Sequence, residues 1–215
     1  MKAPAPPVAI VGLACVFPGA PDVGRFWDNI IQGRDGISEL PEALWRTRFH
    51  QHAESGTLLL DYRRGGFITH PIEFDPVAFG VMPAEASGAE PDQLLALKLT
   101  HEALQNAGYG SARPAPRSTA VILGRGGYVG PGVANGNQYV RVVEEIVGSL
   151  RTLIPELDDA RIAELKAAYR HRLRRVGADN AIGLVPNLAA SRVANRFDFS
   201  APAYTLDAAC ASSLY

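Results

Sequence analysis

Three segments of the chain have hydrophobic patterns that predict β-strands. The runs at 8–14 and 119–124 are rich in β-branched residues, a pattern typical of strands that are buried on both faces. The shorter run at 203–207 predicts a third strand. These runs require other elements to cover them, so helices are expected between them.

Helical spacing of apolar residues appears between the predicted strands. The segment 22–33 begins with Asp22, a good N-terminal cap, and stops at Gly33. The segment 90–108 carries a proline in its first turn and ends at Gly108. Further helices are predicted at 138–176, with a break near Pro155, and at 188–197. Because buried strands alternate with helices, the pattern favours an α/β layered fold.

Composition indicates a soluble globular protein. Of the 215 residues, 47% are hydrophobic and 20% are charged, and the net charge is −1. We therefore expect neither a nucleic-acid nor a membrane partner, and a cytoplasmic location. Residues 1–7 hold three prolines and are expected to form a disordered lead-in to one domain at 8–215. Two cysteines without metal-ligand spacing predict neither a disulfide framework nor a metal site.

The most informative segment for chemistry follows the third strand. The strand at 203–207 runs into small residues at 208–215, which suit the start of a helix and place Cys210 at the turn. Unsatisfied N–H groups at a helix start favour a thiolate and can hold an oxyanion. A cysteine in such a position is a candidate nucleophile. The alternative is a buried structural cysteine.

The segment 205-TLDAACASSL-214 resembles the active-site motif of ketosynthases, in which an aspartate, two small residues, the nucleophilic cysteine and a serine pair follow in order. Five further segments are similar to family landmarks in the right order: 8-VAIVGLACVFPGA-20, 26-FWDNIIQGRDGISELP-41, 64-RGGFI-68, 73-EFDPVAFGVMPAEA-86 and 90-EPDQLLAL-97. The chain thus resembles the amino-terminal half of the β-ketoacyl synthase domain of a type I polyketide synthase. The residues at 90–93 and 207–214 and the helical insert at 138–176 look most like those of iterative synthases of the polyunsaturated-fatty-acid, heterocyst-glycolipid or enediyne kind.

This resemblance implies a thiolase-like layered αβαβα fold, present here as its amino-terminal half. It also implies that Cys210 takes an acyl group from the phosphopantetheine thioester of an acyl carrier protein. A malonyl-type thioester on a carrier protein then loses CO₂ and attacks the acyl enzyme. In the family, two histidines promote this decarboxylation, and the complete domain is a homodimer.

Two features depart from the family pattern. The family's histidines lie well beyond the cysteine, whereas all five histidines here precede Cys210 and match no catalytic motif, so we expect this segment alone to be inactive in condensation. Ala201 stands before Pro202, where the family usually has glycine. If that position needs a positive φ, alanine costs about 1 kcal/mol.

Two other functions are compatible with the sequence. The first is a non-catalytic dimerisation or scaffold fragment. The second is a thiolase-like or chalcone-synthase-like condensing enzyme that uses coenzyme A thioesters. Reactivity of Cys210 towards iodoacetamide or cerulenin distinguishes the catalytic from the non-catalytic interpretation. Half of a shared core also leaves apolar surface uncovered, so the isolated chain is expected to associate.

Overall fold

A computed structural model describes residues 7–41, 64–126, 137, 141–172 and 184–215. Apart from Pro7, the predicted lead-in lies outside these ranges. The chain divides into two units, the first made of Met1–Phe74 and Leu99–Pro114 and the second of Asp75–Lys98 and Ala115–Tyr215.

The described ranges contain both helices and strands, as the pattern predicted, although several helices follow one another without a strand between them. In chain order they are α1 Val23–Ile31, β1 Ser38–Glu39, β2 Arg64–Gly65, α2 Pro83–Gly88, α3 Pro91–Asn106, β3 Val121–Gly124, α4 Val143–Leu153, α5 Asp159–Arg172, α6 Leu188–Arg196, β4 Ala203–Leu206 and a 3₁₀-helix Ala209–Leu214. The strands form two two-stranded sheets: β1 pairs antiparallel with β2, and β3 pairs parallel with β4. The α/β class is confirmed.

Local capping rules account for α1 and for the end of α3. Asp22 caps α1, and its carboxylate accepts a hydrogen bond from the Arg25 N–H at 2.7 Å. Gly33 follows that helix with φ +61°, and Gly108 follows α3 with φ +79°. Both glycines adopt the left-handed conformation that ends a helix at no steric cost.

The predicted strand at 8–14 is wrong. These residues lie in the first unit outside any helix or strand. A Cβ added to Gly12 would lie 2.2 Å from the Ala103 carbonyl oxygen, and the Leu13 N–H donates to Asn106 Oδ1 at 3.0 Å, so the run lies against the end of α3. Its apolar side chains remain exposed because nothing in the described residues covers them: Val8 94%, Ile10 81%, Val11 67% and Leu13 54%.

In the second unit, α6 packs on the β3–β4 sheet. The helix buries a face of small and β-branched side chains: Ala189, Ala190, Val193 and Ala194. On β3, Val121 is buried, while Ile122 is half exposed, so this strand is covered on one face and not on both. Small side chains let the helix approach the backbone of the sheet closely.

The remaining helices complete the second unit. Helices α4 and α5 pack around Val143, Val147 and Ile162, and the chain breaks between them where Pro155 predicted. The start of α3 is anchored by Leu97 and Gln93, both with no exposed surface. The Arg192 guanidinium on α6 pairs with Glu85 on α2 at 2.7 Å.

Candidate active site

Strand β4 leads into the turn that carries Cys210, and the position of β4 is set by its pairing with β3. The register places Val121 opposite Ala203 and Gly124 opposite Leu206. The ladder continues one residue further, because the Arg125 N–H donates to the Leu206 carbonyl at 2.9 Å. The candidate nucleophile therefore follows directly after a strand that is hydrogen-bonded to its end.

A side-chain amide occupies the other edge of β4. Carbonyls of Pro202 and Leu206 accept bonds from the β3 side, so strand alternation turns the Thr205 N–H the opposite way. That N–H donates to Asn187 Oδ1 at 3.1 Å, while Asn187 Nδ2 bonds the Ser191 hydroxyl at 3.1 Å. Asn187 thus fastens β4 to the start of α6.

The turn after β4 is tight and depends on a residue in the left-handed region. Ala209 has φ +48°, and its N–H donates to Asp207 Oδ1 at 3.0 Å. The Ser212 hydroxyl accepts from the Ala208 N–H at 3.0 Å and donates to the Ala209 carbonyl at 2.8 Å. The strand-to-helix elbow is confirmed, although the helix is a six-residue 3₁₀-helix in which Cys210 is the second residue.

Cys210 is exposed and its thiol is free of a disulfide, so the alternative of a buried structural cysteine is wrong. Its neighbours in the 3₁₀-helix, Ala209 and Ala211, add little bulk. The residue is therefore in contact with solvent. This accessibility is the first requirement of an acyl-accepting nucleophile.

Arg125 ties the end of β3 to two other segments of the second unit. Its guanidinium forms a two-point contact with the Asp92 carboxylate in the first turn of α3, and its Nη1 donates to the Pro186 carbonyl at 3.3 Å. The Arg125 side chain is nearly buried. Sequence reasoning missed this residue, because its partners lie 33 and 61 positions away.

The concern over Ala201 is resolved by the backbone. Ala201 does not have a positive φ, so its side chain is not strained there. The left-handed residue nearby is Asp198, with φ +54°. Its carboxylate pairs with the Arg117 guanidinium at 2.9 Å, and the Ser200 N–H donates to the Arg117 carbonyl at 2.7 Å.

The chain's other cysteine, Cys15, lies in the first unit and differs from Cys210. It is partly buried. Burial raises the pKa of the Cys15 thiol above its ordinary value, and the negative charges of Asp22 and Glu102 raise it further. Because only the thiolate attacks electrophiles, Cys15 is an internal reference for a slowly reacting thiol.

A cavity of about 520 Å³ lies in the first unit, lined by aromatic and polar residues that include Phe17, Phe26 and Phe67. Cys210 does not line it. Across the described ranges, no group of three or more His, Cys, Asp or Glu side chains is arranged to hold a metal. Nor does any helix there have both the length and the apolar character required to span a bilayer.

Comparison with known structures confirms the thiolase-like α/β fold. The PfaC ketosynthase–chain length factor superposes with a TM-score of 0.74 at 22% identity, covering 95% of this chain and 21% of that one. The oxazolomycin ketosynthase domain of Streptomyces albus superposes with a TM-score of 0.61 at 26% identity, covering 95% of this chain and 30% of that one.

Sequence comparison gives the same assignment. The chain is 30% identical over 209 residues to the polyketide synthase ThaG of Burkholderia thailandensis, a match that covers 97% of this chain and 3% of that protein. Residues 5–215 match the family model described as the N-terminal domain of β-ketoacyl synthase. Because that match spans almost the whole sequence, the chain belongs to the β-ketoacyl synthase family.

Proposed function

We propose that this chain carries the nucleophile of a β-ketoacyl synthase and that Cys210 accepts the acyl group. The Cys210 thiolate attacks the carbonyl carbon of an acyl thioester, and the carrier thiolate leaves and takes up a proton. A carbon–sulfur bond to Cys210 forms as the bond to the carrier breaks. The transfer thus conserves the thioester and needs no oxidant or reductant.

The second half of the reaction makes the carbon–carbon bond. A malonyl-type thioester loses CO₂, and the carbanion that remains attacks the acyl group on Cys210. The Cys210 thiolate then leaves, and the β-ketoacyl product stays on the carrier. In the family, two histidines beyond the nucleophile assist the decarboxylation, so the 215-residue chain alone is expected to undergo acylation without condensation.

One observation supports this proposal above the others. Cys210 is exposed on a tight turn that directly follows β4, and the family match runs through it. A polar contact holds the turn on each side, through Asp207 before the cysteine and Ser212 after it. A thiol that is both accessible and held in place suits nucleophilic attack on a bulky thioester.

The proposal extends to partners and location. Substrates arrive on the phosphopantetheine of an acyl carrier protein, and no other cofactor is required for either step. The complete domain is a cytoplasmic homodimer, in which α6 and β4 belong to the parts that form the dimer in the family. Sedimentation of the complete protein tests the dimer, and a monomer at micromolar concentration contradicts it.

Selective alkylation tests the nucleophile. Iodoacetamide or cerulenin should label Cys210 at least tenfold faster than Cys15 at neutral pH, because Cys15 is partly buried and its pKa is raised. Peptide mapping by mass spectrometry assigns each adduct. The Cys210→Ala variant should lose the fast phase and keep the slow one. Equal, slow labelling of both cysteines in folded protein contradicts the proposal.

Acyl transfer then separates the remaining alternatives. The proposal predicts that acyl groups pass to Cys210 from a carrier-protein thioester faster than from the same acyl coenzyme A thioester. A preference for coenzyme A favours the thiolase-like alternative. If neither donor acylates Cys210 in the complete protein, the non-catalytic scaffold interpretation is favoured.

A further inference from the structure

The backbone next to Cys210 adopts a conformation that must be held by other groups. Ala209 has φ +48°, a region in which a residue with a Cβ is less stable by roughly 1–2 kcal/mol. This conformation turns the chain from the end of β4 into the 3₁₀-helix that begins at Ala209. The placement of the Cys210 thiol therefore depends on whatever keeps Ala209 left-handed.

The Ser212 hydroxyl contacts the backbone on both sides of this turn. It accepts the Ala208 N–H at 3.0 Å and donates its own hydrogen to the Ala209 carbonyl at 2.8 Å. A serine hydroxyl has one hydrogen to donate and two lone pairs, so both bonds form at the same time. The first bond uses the peptide unit between Asp207 and Ala208, and the second uses the peptide unit between Ala209 and Cys210, so the two bonds lie on either side of the Ala209 Cα.

Gly124 lets Ser212 occupy this position. A Cβ added to Gly124 would lie 2.8 Å from the Ser212 Cβ and 3.4 Å from the Ser212 carbonyl carbon and oxygen. Contacts of 2.8 Å between such carbon atoms essentially never occur. The end of β3 thus supports Ser212 from behind, and only glycine at 124 permits that contact.

We propose that Ser212, supported by Gly124, is a positioning residue that holds the Cys210 thiol in its reactive orientation. The inference rests on the proposed role of Cys210 as nucleophile. Ser212 itself does not touch the reacting atoms in this assignment. It acts through the backbone of Ala208 and Ala209.

The adjacent serine provides a matched control. Ser213 is exposed and makes no side-chain hydrogen bond among the described residues. In the complete protein, Ser212→Ala should lower the rate of Cys210 alkylation by iodoacetamide about tenfold, as expected for loss of two hydrogen bonds that hold a turn. Ser213→Ala should leave that rate unchanged. Gly124→Ala should lower it as well, because the added methyl group displaces Ser212 while keeping its hydroxyl.

Two further measurements separate positioning from general damage. In acyl transfer from a carrier-protein thioester, Ser212→Ala should lower kcat and leave KM unchanged, because substrate binding does not use the hydroxyl. Melting temperature and circular dichroism of each variant report whether the fold is retained. A folded Ser212→Ala variant with wild-type Cys210 alkylation overturns the assignment, as does an equal loss in Ser213→Ala.

The same experiment keeps the two proposals apart. If wild-type Cys210 reacts no faster than Cys15, the nucleophile proposal itself fails. If wild-type Cys210 reacts fast and the Ser212 and Gly124 variants match it, Cys210 remains the nucleophile and only the positioning role is lost. If Ser212→Ala loses its fold, Gly124→Ala decides the outcome, and its wild-type alkylation rate overturns the positioning role.

Discussion

Two apolar segments with similar sequence patterns have opposite environments in this protein. The run at 8–14 in the first unit lies outside any strand and exposes most of its side chains. In the second unit β3 has a partner strand, β4, and a helix, α6, that covers one face and buries Val121. The difference shows that an apolar run indicates a segment whose side chains favour burial. It does not indicate which other residues bury them.

Hydrogen bonds differ between the two regions in the same way. Along the run at 8–14, Leu13 is held by the Asn106 side chain, whereas β3 exchanges a full ladder of backbone bonds with β4. The ladder is extended by the bond from the Arg125 N–H to the Leu206 carbonyl. The turn that carries Cys210 therefore follows the region whose backbone is fixed from several sides.

The largest expected effect on stability comes from replacing leucine by alanine at a buried position of the second unit, compared with the same change at an exposed position of the run at 8–14. Leu97 has no exposed surface, whereas Leu13 is 54% exposed. Leu97→Ala should lower the free energy of unfolding by about 2–5 kcal/mol, because it removes buried methyl groups and leaves a cavity. Leu13→Ala should lower it by less than about 1 kcal/mol. Urea denaturation measures both, and equal losses contradict the comparison.

An intermediate effect is expected on self-association. The double variant Val8→Lys and Ile10→Lys places charges on the most exposed part of the run. It should weaken association of the 215-residue chain by about tenfold, because an apolar patch is broken. Sedimentation velocity over a concentration series measures the change. Val77→Lys, at a valine that is 69% exposed in the second unit, is the control and should have little effect.

That association experiment has a clear contrary outcome. If the chain is monomeric at all accessible concentrations, the exposed run is not an association surface. If Val77→Lys weakens association as much as the double variant, association does not depend on the run at 8–14.

The smallest expected effect is a pH dependence of the free energy of unfolding that arises from Cys15. The folded pKa of this thiol lies above its ordinary value of 9.0, so the unfolded chain loses the proton first as pH rises. Well below pH 9.0 the thiol is protonated in both states, so its contribution to stability does not change with pH. Above it, stability should fall until the folded thiol also ionises. The urea midpoint should therefore fall less between pH 8 and pH 10 in Cys15→Ala than in the wild type. An equal fall in both proteins contradicts this prediction.

Elements that depend on local rules were predictable from the sequence. The Asp22 cap, the stops at Gly33 and Gly108, and the break at Pro155 require interactions within about one helical turn. The predicted strand at 8–14 failed because a strand needs a partner from elsewhere in the chain. The β3–β4 pairing was not predicted for the same reason, although both strands were.

The sequence predicted the candidate nucleophile but not the residues that surround it. A short motif was sufficient to single out Cys210, since the order of residue types is itself informative. The residues that hold the turn around Cys210 in place could not be identified from the sequence. Gly124 appears as an ordinary loop-forming glycine until Ser212 lies against it, and Arg125 appears as a surface cation until Asp92 is found beside it. Such roles arise from contacts that only the folded chain brings together.

Parallel pairing of β3 with β4 has a consequence for synthesis on the ribosome. The partners Val121 and Ala203 are about 80 residues apart, so at 5–20 residues per second β3 waits on the order of 4–16 s for β4. During that interval its free edge can pair with the wrong segment. Helices α4 and α5 emerge meanwhile and enclose their own apolar residues through short-range contacts, which keeps much of the intervening chain from competing for that edge.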